Sequence, residues 1–351
     1  MIDTLSILKE LIATSGLSGN EIEVREAIQK TWAPLVDELS LSKLGSLHGL
    51  KQGDATAPRP RILISTHMDA IGLMVTGIAG EFLRVTHVGG IDPRILPGQL
   101  VKVHGKEVLP GLVIKPPDHL LPESACGKPV EIQHLFVDPG LTQQEVAELV
   151  TVGDLVSFAQ EPLEMAGDIL VGHSLDNRAS VAALTVCLQE LQTLKHRWDV
   201  WAVASVQEEV TYAGAYTSGY EIHPDLAVAI DVTFATGPGT ADYNAYPLES
   251  GPALGWGPVI HPALFREFKT IAEELEIPYS KDVLPRLSWT DADAIQVTAE
   301  GIPTMLLSIP LRYMHTPVEM IALKDVTRTG RLLAEFIAKL PVDFLKNQSW
   351  D

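Results

Sequence analysis

VWAVASVQEEV, Val200 to Val210, joins two kinds of sequence that rarely sit together. Val200 to Val206 is almost all Val and Ala with one Trp, the composition of a strand buried on both faces, as in a parallel sheet. Glu208 and Glu209 then stand side by side at the carboxyl end of that strand. Like charges so close raise one another's pKa unless cations or hydrogen-bond donors compensate. The pair therefore implies positive charge at this end of the sheet.

The composition of the whole chain suits such a core. Its 351 residues, 46 % hydrophobic and 20 % charged, suffice for one large globular domain or two. A formal charge of −19 repels polyanions, which argues against nucleic acid or an anionic membrane as partner. Cys126 and Cys187 are the two cysteines and form no CxxC pair, so a reducing cytoplasm is the expected location. The amino terminus lacks a basic segment followed by an apolar core; Leu5, Leu8, Leu11 and Ile12 are spaced for one face of a helix. No apolar stretch approaches the ~20 residues of a membrane span.

Similar strand signals recur along the chain: Ile62 to Ser65, Leu226 to Ile230 and Thr304 to Ile309. They alternate with helical patterns at Arg178 to Leu194, Pro262 to Glu276 and Lys324 to Leu340. Such alternation predicts an α/β fold with a mostly parallel sheet covered by helices. Between Gly72 and Glu161 the texture changes to short strand-like pieces separated by Gly, Pro and Asp turns, such as FLRVTHVG and PVEIQHLFVD. The expected organisation is one catalytic domain formed by residues 1–71 and 162–351, interrupted by a small β domain at 72–161.

Polar residues fall where the apolar runs stop. His67 and Asp69 follow Ile62 to Ser65, Asp231 follows LAVAI, His315 follows TMLLSIPLRYM, and Asp176 opens a helix. Ligands of open α/β sheets bind outside the carboxyl ends of the strands, so these elements deliver their groups to one edge. Imidazole and carboxylate together suit zinc or cobalt. With His67, Glu209, Asp231 and His315 as terminal ligands, Asp176 can bridge two divalent ions ~3.5–4 Å apart. Asp69, two residues after His67, faces the same side of an extended chain and can orient the imidazole. Glu208, left free by its neighbour, can take a proton from water. Each residue has a plainer reading: an exposed turn for the Glu pair, an N-cap for Asp176, strand-end polarity for Asp231 and His315. Their coincidence at strand and helix ends favours the metal reading. His173 and the remaining histidines are assigned to surface or packing, and TDADAI, Thr290 to Ile295, to a capped helix start.

These residues resemble the M42 metallopeptidases. STHMDAIGLMV (Ser65–Val75) is similar to the first metal motif of that family, SLDNRAS (Ser174–Ser180) to the bridging-aspartate motif and VQEEV (Val206–Val210) to its base-and-ligand pair. AIDVT (Ala229–Thr233) and RYMHTPVE (Arg312–Glu319) match the last two ligand motifs, and SGLSGNEIEVR and LPGLVIKPP extend the likeness over essentially the whole chain. The resemblance implies a three-layer α/β/α peptidase domain with an inserted PDZ-like, barrel-like β domain that mediates dimerisation, and in many members a dodecamer. It implies one ion on His67, Asp176 and Asp231, a second on Asp176, Glu209 and His315, Glu208 as general base and Asp69 as the partner of His67. Three departures concern the substrate pocket: Ala70 in place of Glu, Asn177 in place of a second Asp, and RLSWTDADAI in place of a glycine-rich approach.

The function expected is release of amino-terminal residues from peptides. A glycoside hydrolase would need two uncommitted carboxylates about the scissile bond, and a non-catalytic scaffold would have lost Glu208 or a ligand. Preference for an acidic terminal residue would need a cation in the pocket, for which Arg286 and Arg312 are the candidates.

Overall fold

The computed structural model describes residues 3–123, 127–241 and 243–347, and Cys126 lies outside them. Among the described residues eleven strands form the main sheet. Asp199–Ser205, Arg61–His67, Leu226–Phe234 and Thr304–Arg312 lie side by side and parallel at its centre. Leu47–Lys51 and Glu38–Leu41 extend one side antiparallel, and Glu319–Ala322, Ile169–Gly172 and Leu163–Met165 the other. Ala253–Trp256 adds to Thr304–Arg312, and Ser280–Val283 to Ala253–Trp256.

The central strands are apolar throughout because both of their faces are covered. Successive side chains of a strand point to opposite faces. Ile62, Ile64, Val200, Ala202, Leu226 and Val228 accordingly join one core, while Leu63, Val203 and Ala227 join another. The first core is closed by Thr4–Ala13, Ile22–Trp32, Leu175–Glu190, Pro262–Glu274 and Leu323–Lys339; the second by Ala213–Ile222 and Asp291–Gln296. The result is the expected α/β/α sandwich. Leu175–Glu190 is buried from Leu175 to Leu188, as a helix covered on every side must be. Leu323–Lys339 crosses it so closely that a Cβ on Gly330 would stand 2.4 Å from the Ala183 carbonyl oxygen.

The chain leaves the sheet just after Arg61–His67 and forms a closed antiparallel barrel from Gly72–Ala79, Phe82–Val88, Phe136–Asp138, Val108–Ile114, Leu100–His104 and Leu155–Phe158. Its interior is separate from the cores of the sheet and consists of residues such as Leu73, Val75, Leu83, Val103, Val137 and Val156. No helix of the described residues is long and apolar enough to cross a membrane.

Element ends differ from those expected in ways that matter for the site. The strand expected at Ile62 to Ser65 continues to His67, so this imidazole is carried by the sheet itself. The helix expected over Arg178 to Leu194 starts at Leu175 and ends at Glu190. Asp176 and Asn177 sit in its first turn with non-helical dihedrals, which turns Asp176 away from the helix surface and towards the sheet edge.

Candidate metal centre

Register brings the first groups together. Ser205 pairs with His67, and Ala229 with Ser65, so the same parallel register places Asp231 level with His67. Beyond Ser205 the chain turns through Val206 and Gln207, with Gln207 in the left-handed region at φ 58°, into the short helix Glu208–Thr211. His315 lies beyond Thr304–Arg312, also at positive φ (60°).

Asp176 occupies the middle of the cluster. Its Oδ1 is 3.2 Å from His67 Nε2, and its Oδ2 is 3.3 Å from His315 Nε2. Glu209 Oε2 lies 3.4 Å from the same His315 nitrogen; Glu208 Oε2 and Asp231 Oδ1 lie 3.7 and 3.8 Å from His67 Nε2. His67, Asp176 and Glu209 offer donor atoms within 4.8 Å of one another, and so do His67, Glu208 and Asp231. Every residue expected at the centre is thus in one place. The second grouping puts Glu208, expected to be a base, as near as the expected ligands.

The electrostatics match a site built around cations. Burial, then the neighbouring acids, pushes Glu208 up to about 10, and burial raises Glu209 and Asp231 well above the carboxylate range. Burial opposes the charge on Asp176 too, but His315 and His67 outweigh it and hold its carboxyl low. Burial would likewise lower His67, yet Glu208, Asp176, Asp69 and Asp231 raise it well above its usual value. Glu209 Oε1 is buried with no hydrogen-bond partner. Converging oxygens, two imidazole nitrogens and an orphaned carboxylate oxygen fit a divalent cation.

Two buried carboxylates hold these groups in place through the backbone. Asp69 accepts the Glu208 and Glu209 amides at 3.0 and 3.2 Å and the Ser18 hydroxyl at 2.5 Å. His67 Nδ1 donates to the Asp69 carbonyl at 3.1 Å, with the Asp69 carboxylate 3.6 Å away, which leaves Nε2 to the cluster. Glu319 does the same on the opposite side: it accepts the His315 amide at 2.9 Å and the Asp176 amide at 3.0 Å. Glu319 escaped sequence reasoning as a functional residue. Its signal was the spacing from His315 to Glu319, which only the structure turns into a clamp. Asp291 accepts the Ser65 and Ser205 hydroxyls, each at 2.6 Å, and so pins two central strands beneath the site. Its helix is capped by Thr290, as expected. His173 is buried beside Ser174 Oγ, with its pKa lowered to about 4 by burial and by Arg178, and lies outside the donor cluster.

A cavity of about 600 Å³ opens onto the cluster. Val232, Phe234, Leu284, Leu287, Trp289 and Met314 supply much of its apolar wall, so RLSWTDADAI contributes to it. Neither Arg286 nor Arg312 lines it. Arg312 donates to the Thr236 carbonyl at 2.7 Å, so neither candidate supplies the cation that an acidic preference would need. The barrel reaches the site as well: a Cβ on Gly90 would stand 3.0 Å from His315 Nδ1.

The chain is similar to known proteins over nearly its whole length. The family described as M42 glutamyl aminopeptidase matches residues 45–332. The lysyl aminopeptidase of Pyrococcus furiosus is 33 % identical over 345 residues, spanning 96 % of this chain and 98 % of its own. A TET aminopeptidase from the marine sediment archaeon Thaumarchaeota archaeon SCGC AB-539-E09 superposes with a TM-score of 0.92 at 30 % identity, over 98 % of each chain. The TET1 peptidase of Pyrococcus horikoshii, which can assemble into a tetrahedron or a large octahedral shell, gives 0.84 at 30 % identity over 96 % of this chain and 100 % of that one. With the family matched over most of its length, the chain belongs to the M42 glutamyl aminopeptidase family and is a peptidase of the aminopeptidase type.

Proposed function

We propose that the protein removes amino-terminal residues from peptides with two divalent metal ions, zinc or cobalt by the chemistry of the donors, and with Glu208 as its general base. The observation that carries this reading is the placement of Asp176, one oxygen towards each imidazole. His67 and Asp231 complete one set of ligands, Glu209 and His315 the other. Bound there, the ions would polarise the scissile carbonyl and acidify water enough for attack near neutral pH.

The chain itself supplies position and proton transfer. Asp69 and Glu319 fix the backbones of the ligand-bearing turns, so the side chains need little reorganisation. Glu208 Oε2 takes the proton of the attacking water and returns it to the departing amine, leaving the carboxylate as it began. Added positive charge beside it favours the carboxylate form that accepts a proton. A glycosidase reading is less well supported, because Asp176, Glu209 and Asp231 crowd the imidazoles and Asp69 is spent on amides, which commits the carboxylates nearest Glu208 to the donor cluster and its backbone.

Release of the first residue from a peptide should be abolished by a chelator and restored by zinc or cobalt. A thiol reagent should leave the site intact at Cys187, which is buried in the main core. Full turnover by the metal-free protein would overturn the reading. We further propose that the 72–161 barrel pairs two subunits, which then build larger closed particles in the cytoplasm; its exposed Leu100 and Val108 suit such a contact. Light scattering should give a dimer or a multiple of dimers, and an active monomer at working concentration would exclude it.

A further inference from the structure

We infer that the cavity beside the metal centre selects a basic terminal residue, lysine or arginine, through the carboxylate of Asp282. This rests on the aminopeptidase reading and concerns the side chain of the residue released. The family description names glutamyl substrates, and the structure argues against acidic ones here. Among the described residues that line the cavity there is no Lys or Arg; the imidazoles of His67 and His315 belong to the donor cluster. An acidic side chain would enter apolar walls without a partner, which is costly.

Asp282 is the cavity carboxylate outside that cluster. It sits on the strand Ser280–Val283 and is 7 % exposed. Its Oδ1 accepts the Tyr246 hydroxyl at 3.0 Å, and the Thr233 hydroxyl lies beside it. These two donors leave acceptor capacity, since a carboxylate can take about four hydrogen bonds. Lys281, its neighbour in sequence, faces the other way on the strand, with Nζ 4.4 Å from the centre of the Trp256 ring. Among the described residues no Lys or Arg therefore neutralises Asp282 from within the cavity.

Its distance from the reaction also fits. Thr233 is two residues beyond Asp231 on the same strand and same face, a rise of about 6.6 Å. A carboxylate beside Thr233 is thus set back from the metal cluster by about the reach of a lysine stem. Val232, Leu284 and Leu287 give that stem apolar wall, while the ammonium ends on Asp282. The apolar wall alone would favour leucine or methionine, and the buried carboxylate tips the balance, because a charge-assisted hydrogen bond in a desolvated site outweighs the contact it replaces.

The test uses the metal-loaded enzyme with lysyl, arginyl, norleucyl and glutamyl anilides. Norleucine has the lysine stem without its ammonium. We expect kcat/KM for lysyl and arginyl substrates to exceed norleucyl by about 100-fold, with glutamyl the poorest. In Asp282→Asn, whose carbonyl still accepts the Tyr246 hydroxyl, the lysyl-to-norleucyl ratio should fall by a similar factor, carried mainly by KM. The ratio cancels any general loss, and the wild-type panel stands even if the variant does not fold. A norleucyl substrate equal to or better than lysyl, or a ratio unmoved in Asp282→Asn, overturns the inference alone. No release from any anilide overturns the aminopeptidase reading beneath it.

Discussion

Glu208→Gln is expected to lower kcat by about a thousand-fold or more while both metal ions stay bound. The substitution keeps the size of the side chain, and the hydrogen bond from residue 208 to Asp69 is made by its backbone amide, so the turn persists. What goes is a carboxylate that can accept a proton. The closeness of Glu208 to His67 and Asp231 makes metal content the sensitive measurement. Elemental analysis should find the same stoichiometry in wild type and variant, with kcat collapsed and KM little changed. A variant depleted of one ion would show that Glu208 is a ligand, and the division of labour between the two glutamates would then have to be redrawn.

Asp176→Ala should remove metal and activity together. Asp176 stands between the two imidazoles, with one oxygen 3.2 Å from His67 Nε2 and the other 3.3 Å from His315 Nε2, and the variant has neither. Each of the two proposed ions would also lose a ligand. Activity should fall below detection, and titration should find less than one ion retained per subunit. Because ions that bind only the folded state stabilise it by mass action, added zinc should raise the melting temperature of the wild type and leave that of the variant nearly unmoved. Two ions retained at wild-type affinity would rule out the bridging role.

How much of this was legible in the sequence depends on what kind of signal each part carries. Ile62, Leu63 and Ile64 announce a strand covered on both sides because all three are apolar, and the two cores they enter confirm it. His67, Asp176, Glu208, Glu209, Asp231 and His315 could be read because charged side chains directly after apolar runs are costly without a purpose. Glu319 and Asp291 could not, since their partners are backbone amides and serine hydroxyls supplied by distant parts of the chain. Asp282 hides for a related reason: its neighbours Tyr246 and Thr233 come from other elements, and only the third dimension shows that it faces a cavity. The arginines mislead in the opposite direction. Arg312 lies three residues before His315, yet its guanidinium is occupied by a carbonyl outside the cavity.

The Gly89–Gly90 turn of the barrel bears on how such a centre keeps time with its surroundings. His315 is 36 % exposed, whereas His67 is 2 % exposed and held within the sheet. The turn at Gly90 is the wall against which His315 Nδ1 rests, and Gly89 reaches the Glu209 side chain at 3.5 Å from its would-be Cβ. One imidazole thus belongs to the sheet and the other leans on a barrel with a core of its own. A shift of the barrel would therefore meet the second imidazole and Glu209 before it met the first. If the barrel pairs subunits as proposed, metal retention should differ between the isolated subunit and the assembly, and so report on quaternary state.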